Sequence, residues 1–362
     1  MSENTYYGDY LGLSQLLSCQ HPRSVSVGRP AHDEMLFIIT HQTYELWFRQ
    51  ILHELHSVLG ILQQKIVPDN QMGQAVSRLE RICEIQQVMI QQIQILETMR
   101  PLDFLDFRDL LVPASGFQSF QFRLIEIMLG LPGQQRIKYH EHAYYESLSE
   151  EHKQIILDAE KMPSLFNAVE AWLERTPFLR FDDFDFWQTY HEAVEAMFAQ
   201  DRERIEHNPL LSEKDQAFRQ RQLSNTMAAF ELLFDTERYE TLRSSGERRL
   251  SHRATQAALL IMLYRERPIL HMPYRLLNTL VQIDELLTTW RYRHALMVQR
   301  MIGAKQGTGG SMGYNYLIKT LDAHRIFGDF TQLTTFLIPR SALPELPEHI
   351  DQRLGFAYGS TP

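Results

Sequence analysis

Cysteine is scarce in this 362-residue chain: only Cys19 and Cys83 occur, without the paired spacing of a disulfide framework or a structural zinc cluster. A reducing cytoplasm is the compartment that fits. Positive charge is also in deficit, with 36 Lys and Arg against 45 Asp and Glu and a formal net charge of −9. The arginines are scattered and form no basic stripe, so a nucleic-acid partner is not expected. Long hydrophobic runs are missing as well. The longest, Ala257 to Tyr264, is too short to cross a bilayer, and Met1 to Tyr7 contain neither the basic nor the apolar stretch of an export signal. A soluble, unprocessed protein without membrane contact is expected. Alternating β-branched runs bounded by turn pairs are almost absent, which argues against an extensive sheet.

What the chain does contain is apolar residues at three-to-four-residue spacing. Six segments carry it: Met35 to Leu59, Met72 to Met99, Ser119 to Leu129, Asp185 to Phe198, Leu211 to Phe234, and Pro273 to Ile302. The second has a buried stripe of Ile82, Ile85, Val88 or Met89, Ile93 and Leu96, while Gln86, Gln87, Gln91 and Gln94 read as a solvated face. No fixed-period repeat and no Gly/Ser- or Pro-rich linker divides the sequence. The polar stretches Gln134 to Lys153 and Thr236 to Arg249 read as connections or peripheral insertions. The expected fold is all-α: one bundle-like helical domain over residues 1–362, with small peripheral helices and connections at about 130–250.

Two histidines stand in apolar helical company. In the first segment Phe37, His41, Glu45 and Phe48 share one face, and in the last Trp290, His294, Val298 and Met301 or Ile302 do so. A lone histidine on such a face is usually a hydrogen-bonded core residue. Two of them in separate long helices suit a cofactor pocket, because a neutral imidazole in dry surroundings is what a haem iron takes as its axial ligand. Other metal readings fail on spacing. None of the 15 histidines has Glu three residues before it, as a di-iron bundle requires. His-Glu-x-x-His is absent, and His140-Glu141-His142, His53 and His56 read as solvated residues.

A glycine-rich stretch, Lys305 to Gly313, follows the His294 helix. It lacks the Gly-Lys-Ser/Thr of a phosphate loop, and Met312 stands where a dinucleotide fingerprint needs its third glycine. Gly309-Gly310-Ser311-Met312-Gly313 has the form of a nucleophile elbow, with Asp322 and His324 downstream, but it lacks the strand that such an elbow needs in front. The better reading is a flap whose Thr308 hydroxyl and backbone N–H groups close over a polar substrate group. Arg108 lies among Phe104, Phe107 and Leu111, and its partner is either Asp106 or Asp109 or a substrate carboxylate held bidentately. Ser115 and Gly116 form a tight turn that lets a planar ligand approach the backbone closely.

Taken together, three stretches resemble the tryptophan 2,3-dioxygenase family. They are His32 to Trp47, Phe107-Arg108-Asp109 with Pro113 to Ser119, and Trp290 to His294 with Gly307-Thr308-Gly309-Gly310-Ser311. The likeness runs collinearly from Tyr7-Gly8-Asp9-Tyr10-Leu11 to Phe336-Leu337-Ile338-Pro339-Arg340. It implies a haem b enzyme that inserts both atoms of O₂ across the indole C2–C3 bond of L-tryptophan, giving N-formylkynurenine, the first step of the kynurenine route of tryptophan breakdown. On this resemblance His294 is the proximal iron ligand and His41 the distal histidine that meets the indole N–H. Phe37 stacks in the indole pocket, Arg108 clamps the carboxylate, and Thr308 meets the zwitterion as the flap closes. Phe104, Leu111, Ser115 and Gly116 belong to the same substrate wall. Trp290, Tyr316 and Arg123 surround the haem and its propionates. The family is tetrameric, and residues 1–30 correspond to an arm whose Tyr7, Tyr10 and Leu11 enter a neighbouring subunit's pocket.

Two positions depart from the family pattern. Phe104 stands where some bacterial members carry a tyrosine, as it does in the animal branch, and Met312 replaces the second serine of Gly-Thr-Gly-Gly-Ser-Ser-Gly. The competing readings are a related haem oxygenase acting on a substituted indole, a haem or indole sensor without turnover, and a serine hydrolase. Glu45 reads as a structural orienter or a helix-packing contact.

Overall fold

Side-chain caps mark where several helices of this chain begin. The computed structural model describes residues 5–133, 148–177, 179–181, 184–305 and 314–355. Three one-turn helices, α1 (Tyr7–Tyr10), α2 (Leu13–Leu16) and α3 (Arg23–Ser26), lead into the long α4 (Glu34–Leu62) and α5 (Asp69–Leu96). Then come α6 (Pro101–Arg108), α7 (Phe120–Leu129), α8 (Glu150–Ala159) and α9 (Leu165–Glu174). Ser119 caps α7 by accepting from the Phe122 N–H, and Gly130 ends it at φ 114°, a left-handed conformation that suits glycine. The described strands are β1 (Arg180–Phe181) and β2 (Phe184–Asp185), an antiparallel pair in which Arg180 faces Asp185. Helices α10 (Phe186–Glu206), α11 (Glu213–Phe234), α12 (Thr236–Ser245) and α13 (His252–Leu263) follow, capped in turn by Asp185, Ser212, Asp235 and Ser251. The last are α14 (Pro268–Ile302), α15 (Tyr314–Ala323), α16 (Gly328–Gln332) and α17 (Glu348–Leu354). The protein is all-α, as its periodicity predicts.

Two sequence expectations need correction, the start of α14 and the exposure of Gln86. Helix α14 starts at Pro268, not after Pro273; Pro268 occupies the first turn, where a missing N–H costs nothing, and Pro273 is carried inside the helix. The polar stretch from Thr236, read as a connection or peripheral insertion, forms the helix α12, whose ends are written in the Asp235 cap and in Gly246 at φ 81°. Its periodicity is faint because Tyr239 is its one buried residue. In α5, Met89 and not Val88 completes the buried stripe, and Gln86 is not solvated: it is 2% exposed and its Nε2 donates to the Ile283 carbonyl at 3.3 Å.

The described residues gather into two compact units. The first comprises Met1–His56, Glu80–Ser164 and Ile283–Ile326, and the second Ser57–Leu79, Leu165–Gln282 and Phe327–Pro362. Three of the five boundaries fall within α4, α5 and α14. Phe48, Leu52, Leu55, Ile82, Met89, Ile93, Phe107 and Leu129 are buried in the first, and Val169, Phe186, Tyr190, Leu260, Leu276 and Phe330 in the second. Within the second unit the Tyr190 hydroxyl, fully buried, donates to the Phe336 carbonyl at 2.6 Å. Tyr190→Phe removes the donor and leaves that carbonyl without it, so a loss of about 1–3 kcal/mol is expected in urea unfolding of the protein. A change below a few tenths of a kcal/mol would show that the bond contributes nothing net.

Candidate active site

The cavity that collects the candidate residues lies in the first unit and measures about 320 Å³. One wall is α4, which places Phe37, His41, Tyr44, Glu45 and Phe48 along it at helical spacing. His41 Nδ1 lies 2.7 Å from the Phe37 carbonyl oxygen. A carbonyl only accepts, so Nδ1 carries the proton, and in the neutral ring Nε2 keeps its lone pair. The ring faces the cavity while protein atoms surround it, and this burial lowers the pKa of His41 against the raising effects of the Phe37 carbonyl and the Glu45 charge. Glu45 itself is tied to α7, because Gln121 Nε2 donates to its Oε2 at 2.8 Å and to its carbonyl at 3.0 Å. That contact accords with a helix-packing role.

An aromatic group closes this side. Phe37 lies 4.1 Å from the His41 ring, 5.7 Å from Phe104 and 5.6 Å from Phe107, centroid to centroid. Phe107 is fully buried behind the other two. From the same helix, α6, Arg108 also reaches the cavity; it pairs with Asp109 at 3.3 Å, an acid whose side chain is 88% exposed. Ser115 and Gly116 line the cavity where the chain turns, with Ser115 Oγ accepting from the Phe117 N–H at 3.3 Å. A Cβ at Gly116 would meet no atom within 4 Å, so bare backbone forms that part of the wall.

A second group comes from α14: Trp290, Arg291, His294, Met297, Val298, Met301 and Ile302. Trp290 and His294 rings are parallel to within 2° at 5.4 Å. Burial pushes the His294 pKa down to about 4, and the nearby His41 adds to the effect, so the ring is neutral at physiological pH. Helix α7 adds Phe122, Arg123 and Glu126, and Leu317, Thr320 and His324 come from α15 and the residue after it.

A tryptophan 2,3-dioxygenase family profile matches residues 1–337. The chain belongs to the tryptophan 2,3-dioxygenase family. It is 53% identical over 353 residues to a tryptophan 2,3-dioxygenase of Bdellovibrio bacteriovorus, with 98% of each chain covered. A tryptophan 2,3-dioxygenase of Dictyostelium discoideum is 48% identical, covering 98% of this chain and 89% of the relative. Tryptophan 2,3-dioxygenase B of Danio rerio is 45% identical over 95% of this chain and 84% of its own length.

The tryptophan 2,3-dioxygenase family is haem-dependent, and the donor set here suits that group. His294 presents a neutral imidazole to walls of Ile93, Leu96, Met297, Val298 and Met301, and no cluster of three His, Cys, Asp or Glu residues able to hold a bare metal ion occurs among the described residues. The cavity unites nine of the predicted positions: Phe37, His41, Phe104, Arg108, Ser115, Gly116, Arg123, Trp290 and His294. Leu111 is not in its wall; it sits in the 3₁₀ turn Asp109–Leu111, where the chain leaves α6. Tyr7, Tyr10 and Leu11 do not line it either, and are 75%, 77% and 43% exposed. Thr308 and the Tyr316 side chain lie outside the described residues, as do Ser311, Met312 and His140-Glu141-His142.

Sequence reasoning missed Glu126, Arg291 and His324 as a group. Glu126 Oε1 accepts from Arg291 Nη2 at 2.9 Å and His324 Nδ1 at 3.3 Å, and Oε2 accepts from Arg123 Nη1 at 3.1 Å. The available signal was Arg123 and Glu126 three apart inside the otherwise uncharged Phe120–Leu129, since charged residues on a buried helix face require partners. No helix among the described residues is long and apolar enough to cross a membrane.

Proposed function

We propose that this protein is a haem b-dependent tryptophan 2,3-dioxygenase that cleaves the indole C2–C3 bond of L-tryptophan with O₂ to give N-formylkynurenine. The observation that carries the reading is one largely apolar cavity that brings a neutral His294 together with His41 and with Arg108, in a chain of this family. His294 would hold the haem iron, with Trp290 stacked on its ring to limit rotation. When bound, the haem supplies the redox centre at which dioxygen becomes reactive toward a closed-shell ring. The protein's own residues do the rest. Phe37 and Phe104 offer flat apolar surface to the indole, His41 Nε2 accepts from the indole N–H, and Arg108 takes the carboxylate, so that the ring is held in one orientation. The apolar wall excludes water from the reacting atoms. Thr308 is assigned to the substrate's polar end on the resemblance alone.

Incubation of the purified holoprotein with L-tryptophan and ¹⁸O₂ is the direct test. A product heavier than substrate by both labelled atoms is expected. Incorporation of a single atom, or a preparation with no haem absorption band, would sink the reading.

His41→Ala should keep the haem, because His41 is not its ligand in this scheme. A loss of about 10- to 100-fold in kcat/KM for L-tryptophan is expected, as is a smaller preference for L-tryptophan over 1-methyl-L-tryptophan, which lacks the N–H. An unchanged preference would remove His41 from substrate recognition.

The titration of His294 has a consequence for the haem-free chain. Its folded pKa of about 4 lies below the ordinary histidine value of 6.5, so between these values the unfolded chain binds more protons. The His294 contribution is therefore full above about pH 6.5, declines as pH falls through that window, and levels off below about 4. Apoprotein unfolding in urea at pH 7 and pH 5, compared with His294→Leu, should show the variant losing less stability on acidification. Equal losses would refute it.

A cytoplasmic homotetramer completes the proposal. Cys19 and Cys83 are both free thiols, which suits a reducing compartment. The exposed Tyr7, Tyr10 and Leu11 are apolar surface of the kind another subunit would cover.

A further inference from the structure

Glu126 joins three parts of the chain within the first unit. One carboxylate accepts from Arg123 on its own helix, from Arg291 on α14 and from His324 just after α15, and all four residues line the cavity that contains His294. Relative exposures are 1% for Glu126, 8% for Arg123, 4% for Arg291 and 2% for His324. Desolvating two guanidinium groups beside one carboxylate is a poor way to stabilise a core, since apolar residues of similar volume do at least as well. A ligand that needs the charge is the physical reason to keep it.

Arg291 shows where such a ligand would meet the wall. Its Nη2 is engaged by Glu126, whereas its buried Nη1 has no hydrogen-bond partner among the described residues. A guanidinium is planar and cannot lose its charge, so the open donor calls for an acceptor carrying negative charge, and its fork geometry favours a carboxylate. The substrate carboxylate is assigned to Arg108, beside Phe37 and Phe104. Arg291 instead stands three residues before His294 on the same helix, so an anion there belongs to whatever His294 holds. Haem b carries two propionate carboxylates.

We infer that Arg291 receives a carboxylate of the bound haem, and that Glu126 is a positioning residue that holds Arg291, Arg123 and His324 in the cavity wall for this purpose. The inference rests on the haem reading above. Removing Glu126 frees the Arg291 side chain to leave the wall, and removing Arg291 deletes the donor itself.

Haem loss from the holoprotein to excess apomyoglobin, followed by absorbance, tests it. Arg291→Gln is expected to accelerate loss about tenfold or more and Glu126→Gln by a comparable factor, with Arg291→Lys intermediate. A general weakening of the fold would produce faster loss too, so a second measurement separates the two. The full-length apoprotein is reconstituted with haem or with its dimethyl ester, in which neither propionate is charged. Wild type should hold haem more tightly than the ester, and in Arg291→Gln that ratio should narrow by about threefold or more. Unchanged haem loss in a folded Arg291→Gln, or an unchanged haem-to-ester ratio, overturns the inference. Should Glu126→Gln not fold, the Arg291 variants decide alone. A wild-type chain that retains neither porphyrin overturns the haem reading as well, whereas failure of this inference leaves wild type normally loaded with haem.

Discussion

His294→Ala is expected to purify as a folded chain without haem, and therefore without activity. Three described histidines line the cavity: His324 is tied to Glu126 and His41 belongs to the group on α4, which leaves His294 as the neutral ring among the apolar side chains of α14. Alanine removes the lone pair and opens space the size of an imidazole beside Trp290. The haem absorption band should be lost from the purified protein while its helical circular dichroism stays at the wild-type level. Addition of free imidazole, which fits the space left by the side chain, should restore part of the band. A normal haem spectrum in His294→Ala without imidazole would end the ligand assignment, and with it the proposed arrangement of the two histidines.

The second large effect is expected at Arg108. Its side chain reaches the cavity from α6 with the aromatic group of Phe37, Phe104 and Phe107 beside it. One ion pair it makes, to Asp109, goes to an acid that is almost wholly exposed and so contributes little to stability. A substrate carboxylate in this drier setting would be held far more strongly, since charge-assisted bonds gain as water is excluded. Truncating one partner of such a pair costs roughly 2–5 kcal/mol, so Arg108→Ala should raise KM for L-tryptophan by about 30-fold or more. Haem content should not change. Tryptamine, which lacks the carboxylate, provides the control: wild type should discriminate strongly against it, and the variant hardly at all. A variant that still prefers L-tryptophan by the wild-type factor would show that Arg108 does not bind the carboxylate.

These two residues differ in how they were legible. His294 was visible in the sequence because a titratable ring recurs in phase with Trp290, Val298 and Met301, and helical phase survives into the fold. Arg108 was visible as a charge in apolar company, but the sequence left its partner open between Asp106, Asp109 and a ligand. Asp109 follows Arg108 directly, and where its side chain goes depends on the turn from α6 into the 3₁₀ segment. Arg291 was passed over although it lies inside the same quoted stretch as His294, because a guanidinium near a helix surface usually reaches solvent. Its burial depends on Glu126, 165 residues away in the chain. Gln86 was misread for the same reason: its partner, the Ile283 carbonyl, is 197 residues distant.

Local information was enough for the all-α class, for the starts of α7 and α10 at Ser119 and Asp185, and for which faces of α4 and α14 carry the histidines. Those features depend on backbone hydrogen bonding and on side chains three or four residues apart, so a single sequence contains them whole. Only the tertiary structure decided that the two histidine faces share one cavity with Arg108, that Leu111 stays out of its wall, and that one carboxylate gathers Arg123, Arg291 and His324. Pairings across a hundred or more residues are chosen by packing and by the cost of leaving a buried charge without a partner, and neither leaves a periodic trace along the chain.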